Sequence, residues 1–184
     1  MQLWLWILLG AIGIILLYLV IIYNGLVRLN TRIDNAWSQI DVQLKRRYDL
    51  IPNLVNTVKG YMKHEKTVLE NITKARSAMM GATTLTEKAK QSDVITNALK
   101  TLFAVAENYP ILKANENFLL LQEELSGTEN KIAYSRQFYN DSVMVFNAKI
   151  KVFPNNMFAN MLGFKDREFF KTEGKEREPV KVEF

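Results

Sequence analysis

The sequence has no cysteine and a single histidine, His64, among its 184 residues. The first absence excludes disulfides, thiolate chemistry and cysteine-ligated metals, and fits a reducing compartment. The second leaves acid–base and metal chemistry short of its commonest group. His64-Glu65-Lys66-Thr67-Val68 opens like a zinc-protease helix, but its fifth residue is valine, so no second ligand stands one turn on. A di-iron bundle site draws Glu-x-x-His from two helices, and one histidine cannot serve both. The eight glycines are scattered, which removes the phosphate loop and the dinucleotide fingerprint, and there is no G-x-S-x-G elbow. Glu123 and Glu124 are adjacent, and neighbours on a helix point about 100° apart, too far round for a facing acid–base pair. Nor does any alternating apolar–polar run suggest a β-strand. We therefore expect no catalytic, cofactor-binding or metal site, and a non-enzymatic protein with His64 at a helix end.

What the sequence does have is a long apolar run. Residues 3–23, LWLWILLGAIGIILLYLVIIY, contain no charge, Asn, Gln or Pro. As a helix they would span roughly 30 Å, the thickness of a hydrocarbon core. Trp4, Trp6, Tyr18 and Tyr23 lie near its ends, where amphipathic rings favour the membrane interface. A cleaved signal peptide fits poorly, because no basic residue precedes the run and no small-x-small site comes after it. The expectation is a retained anchor holding residues 3–23 in the lipid bilayer. Arg28 and Arg32 come after the run, with Lys45, Arg46 and Arg47 beyond, so the positive-inside bias places the N-terminus outside and the rest in the cytoplasm. The whole net charge of +5 sits after the run, matching an anionic leaflet; no nucleic-acid motif accompanies it.

Three stripes organise the residues beyond the apolar run. Leu26, Leu29, Ile33, Trp37, Ile40, Leu44, Tyr48, Ile51, Val55, Val58 and Met62 recur in steps of three or four, an amphipathic helix with only Asn24 and Gly25 between it and the apolar run. Val68, Ile72, Ala75 and Met79, then Ile95, Leu99, Leu102, Ala106 and Tyr109, form a second segment. Gly81-Ala82-Thr83-Thr84 interrupts it, and Thr84 with Glu87 has capping-box spacing. The third runs from Phe118 through Leu121, Leu125, Thr128, Ile132, Ser135, Tyr139, Val143, Phe146 and Ile150 to Phe153. The fold class expected is all-α: an N-terminal transmembrane helix continuing into an elongated antiparallel three- to four-helix bundle. The division is 1–23 anchor, 24–153 bundle, and 154–184 a Phe/Met-rich segment with a charged tail.

Two features leave alternatives open. Pro52 sits inside the first stripe, so the helix either bends near Tyr48 to Pro52 or breaks, with Pro52 opening a new helix. FPNNMFANMLGFKDREFF, residues 153–170, is either a short helix capping the bundle end or an interfacial or partner-binding segment. Asp34, Asn35, Gln39, Asp41, Gln43, Asp49 and Asn53 crowd the first helix and Asn115, Glu116, Asn117, Glu129, Asn130, Gln137, Asn140 and Asp141 the third, although Asn and Asp have poor helix propensity; some of these are candidates for interhelical bonds that fix register.

The run YNGLVRLNTRIDNAWSQIDVQLKRRYDLIPNLVNTVKGYMKHE resembles the LemA family of bacterial membrane proteins, as do ENYPILKANENFLLLQEELSGTENKIAYSRQFYND and the 153–170 segment. The resemblance implies an N-terminal anchor, a short outside N-terminus and a soluble helical bundle. It implies no established catalytic activity and supplies no active-site residues to carry over. A relative that belongs to the magnetosome membrane points, by analogy, to membrane organisation. The function expected is thus a membrane-anchored scaffold or assembly protein of the bacterial inner membrane, self-associating. The alternative is an adaptor or regulator presenting its bundle and tail to another membrane protein.

Overall fold

The structure, a computed structural model, describes residues 2–171. Every regular element among them is helical: α1 Gln2–Lys59, α2 Lys66–Gly81, α3 Leu85–Ala106, α4 Pro110–Lys113, α5 Glu116–Lys151 and α6 Asn155–Met161. The all-α expectation holds, with four long helices and two short ones. Apart from Lys171, the charged tail expected over 171–184 lies outside the described residues. The chain forms two compact units, Met1–Ser38 with Arg136–Phe169, and Gln39–Ser135 with Phe170–Phe184.

In the second unit the stripes become the core. Ile40, Leu44, Ile51, Val58 and Met62 are buried from α1, Ile72 and Met79 from α2, Ile95 and Leu102 from α3, and Phe118, Leu125 and Ile132 from α5. Polar pairs give the directions. Asp41 pairs with Lys88, and Arg47 with Ser92 and Thr96, in the same order along both helices, so α1 and α3 run parallel. Tyr61 with Asn115 and Arg46 with Glu124 run in opposite order, so α1 and α5 are antiparallel. With α2 turned back after α1 and packed on α3, this part is an up-down-up-down four-helix bundle. The capping box at Thr84 and Glu87 forms in full. The Thr84 and Thr83 backbone N–H groups, aided by both hydroxyls, hold the Glu87 carboxyl below its usual pKa. Asn115 accepts from the Phe118 N–H at 3.0 Å and so caps α5, while Tyr109 donates to Glu65 at 3.0 Å, a bond that raises the phenol's pKa.

In the first unit, residues 3–21 of α1 are exposed apart from half-buried Leu19, and Ile22 is the first buried residue, at 5% exposure. The end of α5 packs antiparallel to α1: the Trp37 and Tyr139 rings meet edge-on at 6.1 Å, and a Cβ on Gly25 would stand 3.4 Å from Lys149 Nζ. Past α6, residues 164–169 have no regular structure but are tightly held. Buried Asn147 treats the backbone there as a strand partner, donating to Arg167 O and accepting from Arg167 N, each at 2.9 Å. Tyr139 donates to Glu168 O at 2.9 Å, and burial pushes its phenol pKa up. Arg167 pairs with Asp34, and the Phe164 ring lies 6.2 Å from Tyr23 and 6.1 Å from Phe146.

Pro52 lies within α1, which runs through it as helix; the expected alternative of a break is not what forms. A helical proline has no N–H for the carbonyl four residues back. Here that carbonyl is Tyr48 O, and Arg76 of α2 donates to it from Nε at 3.0 Å. The guanidinium thus replaces the missing amide and ties α2 to α1 at the same point. A charge-assisted bond of this kind contributes about 1.5–3 kcal/mol. Arg76→Ala should therefore destabilise the wild-type bundle by about 1–2 kcal/mol. In a Pro52→Ala background the residue-52 N–H returns to Tyr48 O, and the same substitution should cost about 1 kcal/mol less. Urea unfolding tracked by circular dichroism in mild detergent measures both; an equal cost in the two backgrounds refutes the replacement.

Candidate functional site

Arg47 lies on the core stripe, three residues after Leu44 and four before Ile51, and its side chain is 1% exposed. Arginine is almost never buried without partners. Its Nη2 donates to Ser92 O at 3.0 Å and Ser92 Oγ at 2.7 Å, and its Nη1 to Thr96 Oγ1 at 3.0 Å and to Glu129 Oε2. The Thr96 hydroxyl in turn points its one proton between Glu129 Oε1 at 3.0 Å and Ser92 O at 3.1 Å. Three helices therefore converge on one guanidinium. Next to it Arg46 reaches Glu124 at 2.5 Å, both side chains about half exposed. The cluster binds α1, α3 and α5 together, with both Nη groups of Arg47 donating to acceptors of the protein itself.

Of the register candidates from sequence, Asn35 and Asn130 are exposed, whereas Asp41 pairs with Lys88 and Glu129 with Arg47 and Thr96, each across helices. Arg47, which Glu129 meets, and Asn147, which holds the Arg167 backbone, are not among those candidates. The sequence does hold a signal for Arg47: a charged residue occupying a stripe position. His64 is exposed in the turn between α1 and α2. Glu124 is drawn to Arg46, and neighbouring Glu123 is exposed. No three histidine, aspartate or glutamate side chains gather in a group among the described residues. A groove of about 380 Å³ lies between α1 and α2, lined by Val55, Lys59, Lys66, Leu69, Glu70, Thr73 and Lys74. Its floor is apolar, and Lys66 stands 3.9 Å from Glu70 at its rim.

The first unit offers a different surface. The single helix in the described residues long and apolar enough to cross a membrane is α1, through its N-terminal part. Near it, Val152, Phe153, Met157, Met161 and Leu162 are exposed. Phe153, at 74% exposure, leaves the stripe it was expected to finish, because α5 ends at Lys151. Residues 164–169 pack against α1 and α5, while α6 turns Met157 and Met161 outward.

These features define an all-α protein with one candidate membrane-spanning helix and a polar-pinned bundle. Its sequence belongs to the LemA family. The LemA family's sequence model matches residues 36–184, which begins after the apolar run. Protein LemA of Metamycoplasma hominis is 32% identical over 161 residues, covering 85% of this chain and 72% of that protein. Magnetosome protein MamQ 2 of Paramagnetospirillum magneticum is 25% identical over 174 residues, covering 80% of this chain and 64% of the relative. Magnetosome protein MamQ of Magnetospirillum gryphiswaldense is 23% identical over 174 residues, with the same coverage of 80% and 64%. The chain thus spans just under two thirds of the magnetosome relatives' length.

The two ends of the Arg47–Glu129 pair differ in exposure, 1% against 37%, so they should differ on mutation. Glu129→Ala leaves a buried guanidinium short of its counter-charge and should cost about 2–3 kcal/mol, less than for a wholly buried pair because Glu129 is partly hydrated. Arg47→Met removes the buried charge, fills the space with an apolar chain and lets Glu129 rehydrate, so it should cost about 1 kcal/mol less. Denaturant midpoints for the two variants decide this, and Arg47→Met being the worse would overturn it.

Proposed function

We propose that this protein is a non-enzymatic, membrane-anchored helical scaffold or assembly unit that organises the bacterial inner membrane. Residues 3–23 hold it in the bilayer, with the N-terminus outside and the bundle in the cytoplasm. The observation that carries this reading is the continuity of α1. One helix, Gln2–Lys59, is uniformly apolar and exposed at its start, then buries an amphipathic stripe at its end, without a loop between. Arg28 and Arg32 come after the run and supply the positive-inside bias, Arg32 with its guanidinium 4.8 Å from the Phe138 ring. The relationship to proteins named for the magnetosome supports a role in organising membranes.

Self-association fits the anchor, where Gly10 and Gly13 have open space beside them for a second helix, although their spacing is not G-x-x-x-G. The adaptor reading draws on the exposed Phe153, Met157 and Met161, adaptable side chains suited to a partner's surface. Native mass spectrometry of the full chain in mild detergent should show a defined oligomer, and a strict monomer over the physiological concentration range refutes self-assembly. Crosslinking in the native membrane separates the readings: self-crosslinks support assembly, reproducible hetero-crosslinks to residues 153–170 support the adaptor. A C-terminal tag should be cut in inverted vesicles and protected in spheroplasts; the opposite pattern reverses the orientation.

A further inference from the structure

Antiparallel packing sets Trp37 against Tyr139 and Gly25 beside Lys149, twelve residues along α1 against ten along α5. At the same rise, the end of α5 at Lys151 brings the next residues, Val152 and Phe153, about level with Ile21 and Ile22, the last turn of the apolar run. The chain then turns into α6 and returns to place Phe164 against Tyr23, the run's final residue. The stretch between Val152 and Phe164 therefore leaves and returns at the height where the apolar run ends. Over that stretch Phe153, Met157 and Met161 are 74%, 61% and 73% exposed, and Val152 and Leu162 are exposed beside them. Apolar surface gathered in this way marks an interaction site rather than ordinary scatter. The charge agrees with the position. From Ser142 to Lys165 there is no acidic residue, while Lys149, Lys151 and Lys165 fall within it. Lys151 is taken by Asp166 at 2.8 Å, but Lys149 lies along α1 in the space that Gly25 leaves, an ammonium directly above the apolar run.

We propose that residues 152–162, with α6 at their centre, are a second membrane contact: a monotopic foot whose Phe, Met and Leu side chains enter the interfacial layer beside the anchor. Its ligand is the lipid surface, and Lys149 and Lys165 face the anionic headgroups. The foot gives the protein two points of attachment instead of one, which fixes the tilt of α1 in a way that a single apolar helix cannot. The inference rests on residues 3–23 being in the bilayer.

The absence of cysteine makes the test direct, because each single-cysteine variant of the full chain carries one nitroxide. Phe153→Cys, Met157→Cys and Met161→Cys report on the foot, Ile14→Cys on the anchor, and Met144→Cys and Lys100→Cys on exposed positions away from it. The chain is reconstituted into phosphatidylethanolamine–phosphatidylglycerol vesicles, and relaxation by oxygen is compared with relaxation by a water-soluble nickel chelate. The expected result is an oxygen-to-nickel ratio at 153, 157 and 161 several-fold above that at 144 and 100, and below that at 14. Ratios at the foot equal to those at 144 overturn the inference while a high ratio at 14 leaves the anchor standing. A water-like ratio at 14 overturns the anchor and the foot with it. Labels at the foot shielded from both reagents, or spin–spin coupled between copies, assign the surface to a protein neighbour and overturn the lipid contact.

Discussion

A guanidinium taken out of water needs acceptors, and the two Nη groups of Arg47 find theirs only when α1, α3 and α5 stand in one register. Slide α3 by a turn and Ser92 and Thr96 leave the site; slide α5 and Glu129 goes with it. Apolar side chains tolerate such slips, because Leu, Ile and Val fill one another's places at modest cost. A buried charge does not, since an unpaired one costs several kcal/mol. The apolar stripes thus favour a four-helix bundle, and the arginine selects one alignment among those the stripes would accept. α2 is brought in by a second arginine, Arg76, whose acceptor exists because Pro52 left it vacant. In both places an arginine meets a need that the helices cannot meet among themselves.

Much of this is legible in the chain. The period-3.6 stripes give the long helices and their faces, and the Thr84–Glu87 spacing gives a helix start that forms as expected. Local rules suffice there, because a cap or a stripe involves residues a few positions apart. Pro52 is legible only in part. The lost hydrogen bond is inherent in the residue itself, but its replacement comes from Arg76, 24 positions on, and nothing local announces it. Arg47 reads at first as one more basic residue beyond the apolar run, although its phase on the stripe marks it as inward. Asn147 is subtler still: its side chain completes a backbone pairing with Arg167, a contact that exists only once the segment after α6 has folded back.

The candidate site shows the same division. The exposed run of α1 is plain in composition, whereas the level at which α6 sits depends on the register between α1 and α5. Phe153 illustrates the point. It continues the phase of the third stripe perfectly, yet the helix stops two residues before it, at Lys151, and the ring is left exposed. Periodicity says which face a residue would take if the helix continued, and says nothing about whether it does.

The apolar part of α1 carries no face of its own. Leu, Ile and Val surround it on all sides, and Gly10 and Gly13 leave only shallow notches, so lipid gives it no preferred rotation about its axis. Rotation is set where the first buried side chains begin, at Ile22 and Leu26, and by the groups that grip the helix just beyond: Phe164 on Tyr23, Lys149 on Gly25, Arg167 on Asp34. Two of those three come from residues 164–169, which return after α6. The segment that seemed a mere end of the bundle is therefore what tells the anchor which way to face. The assembly role proposed above would need that, because copies in one membrane can build a repeating contact only if each presents the same side to the next.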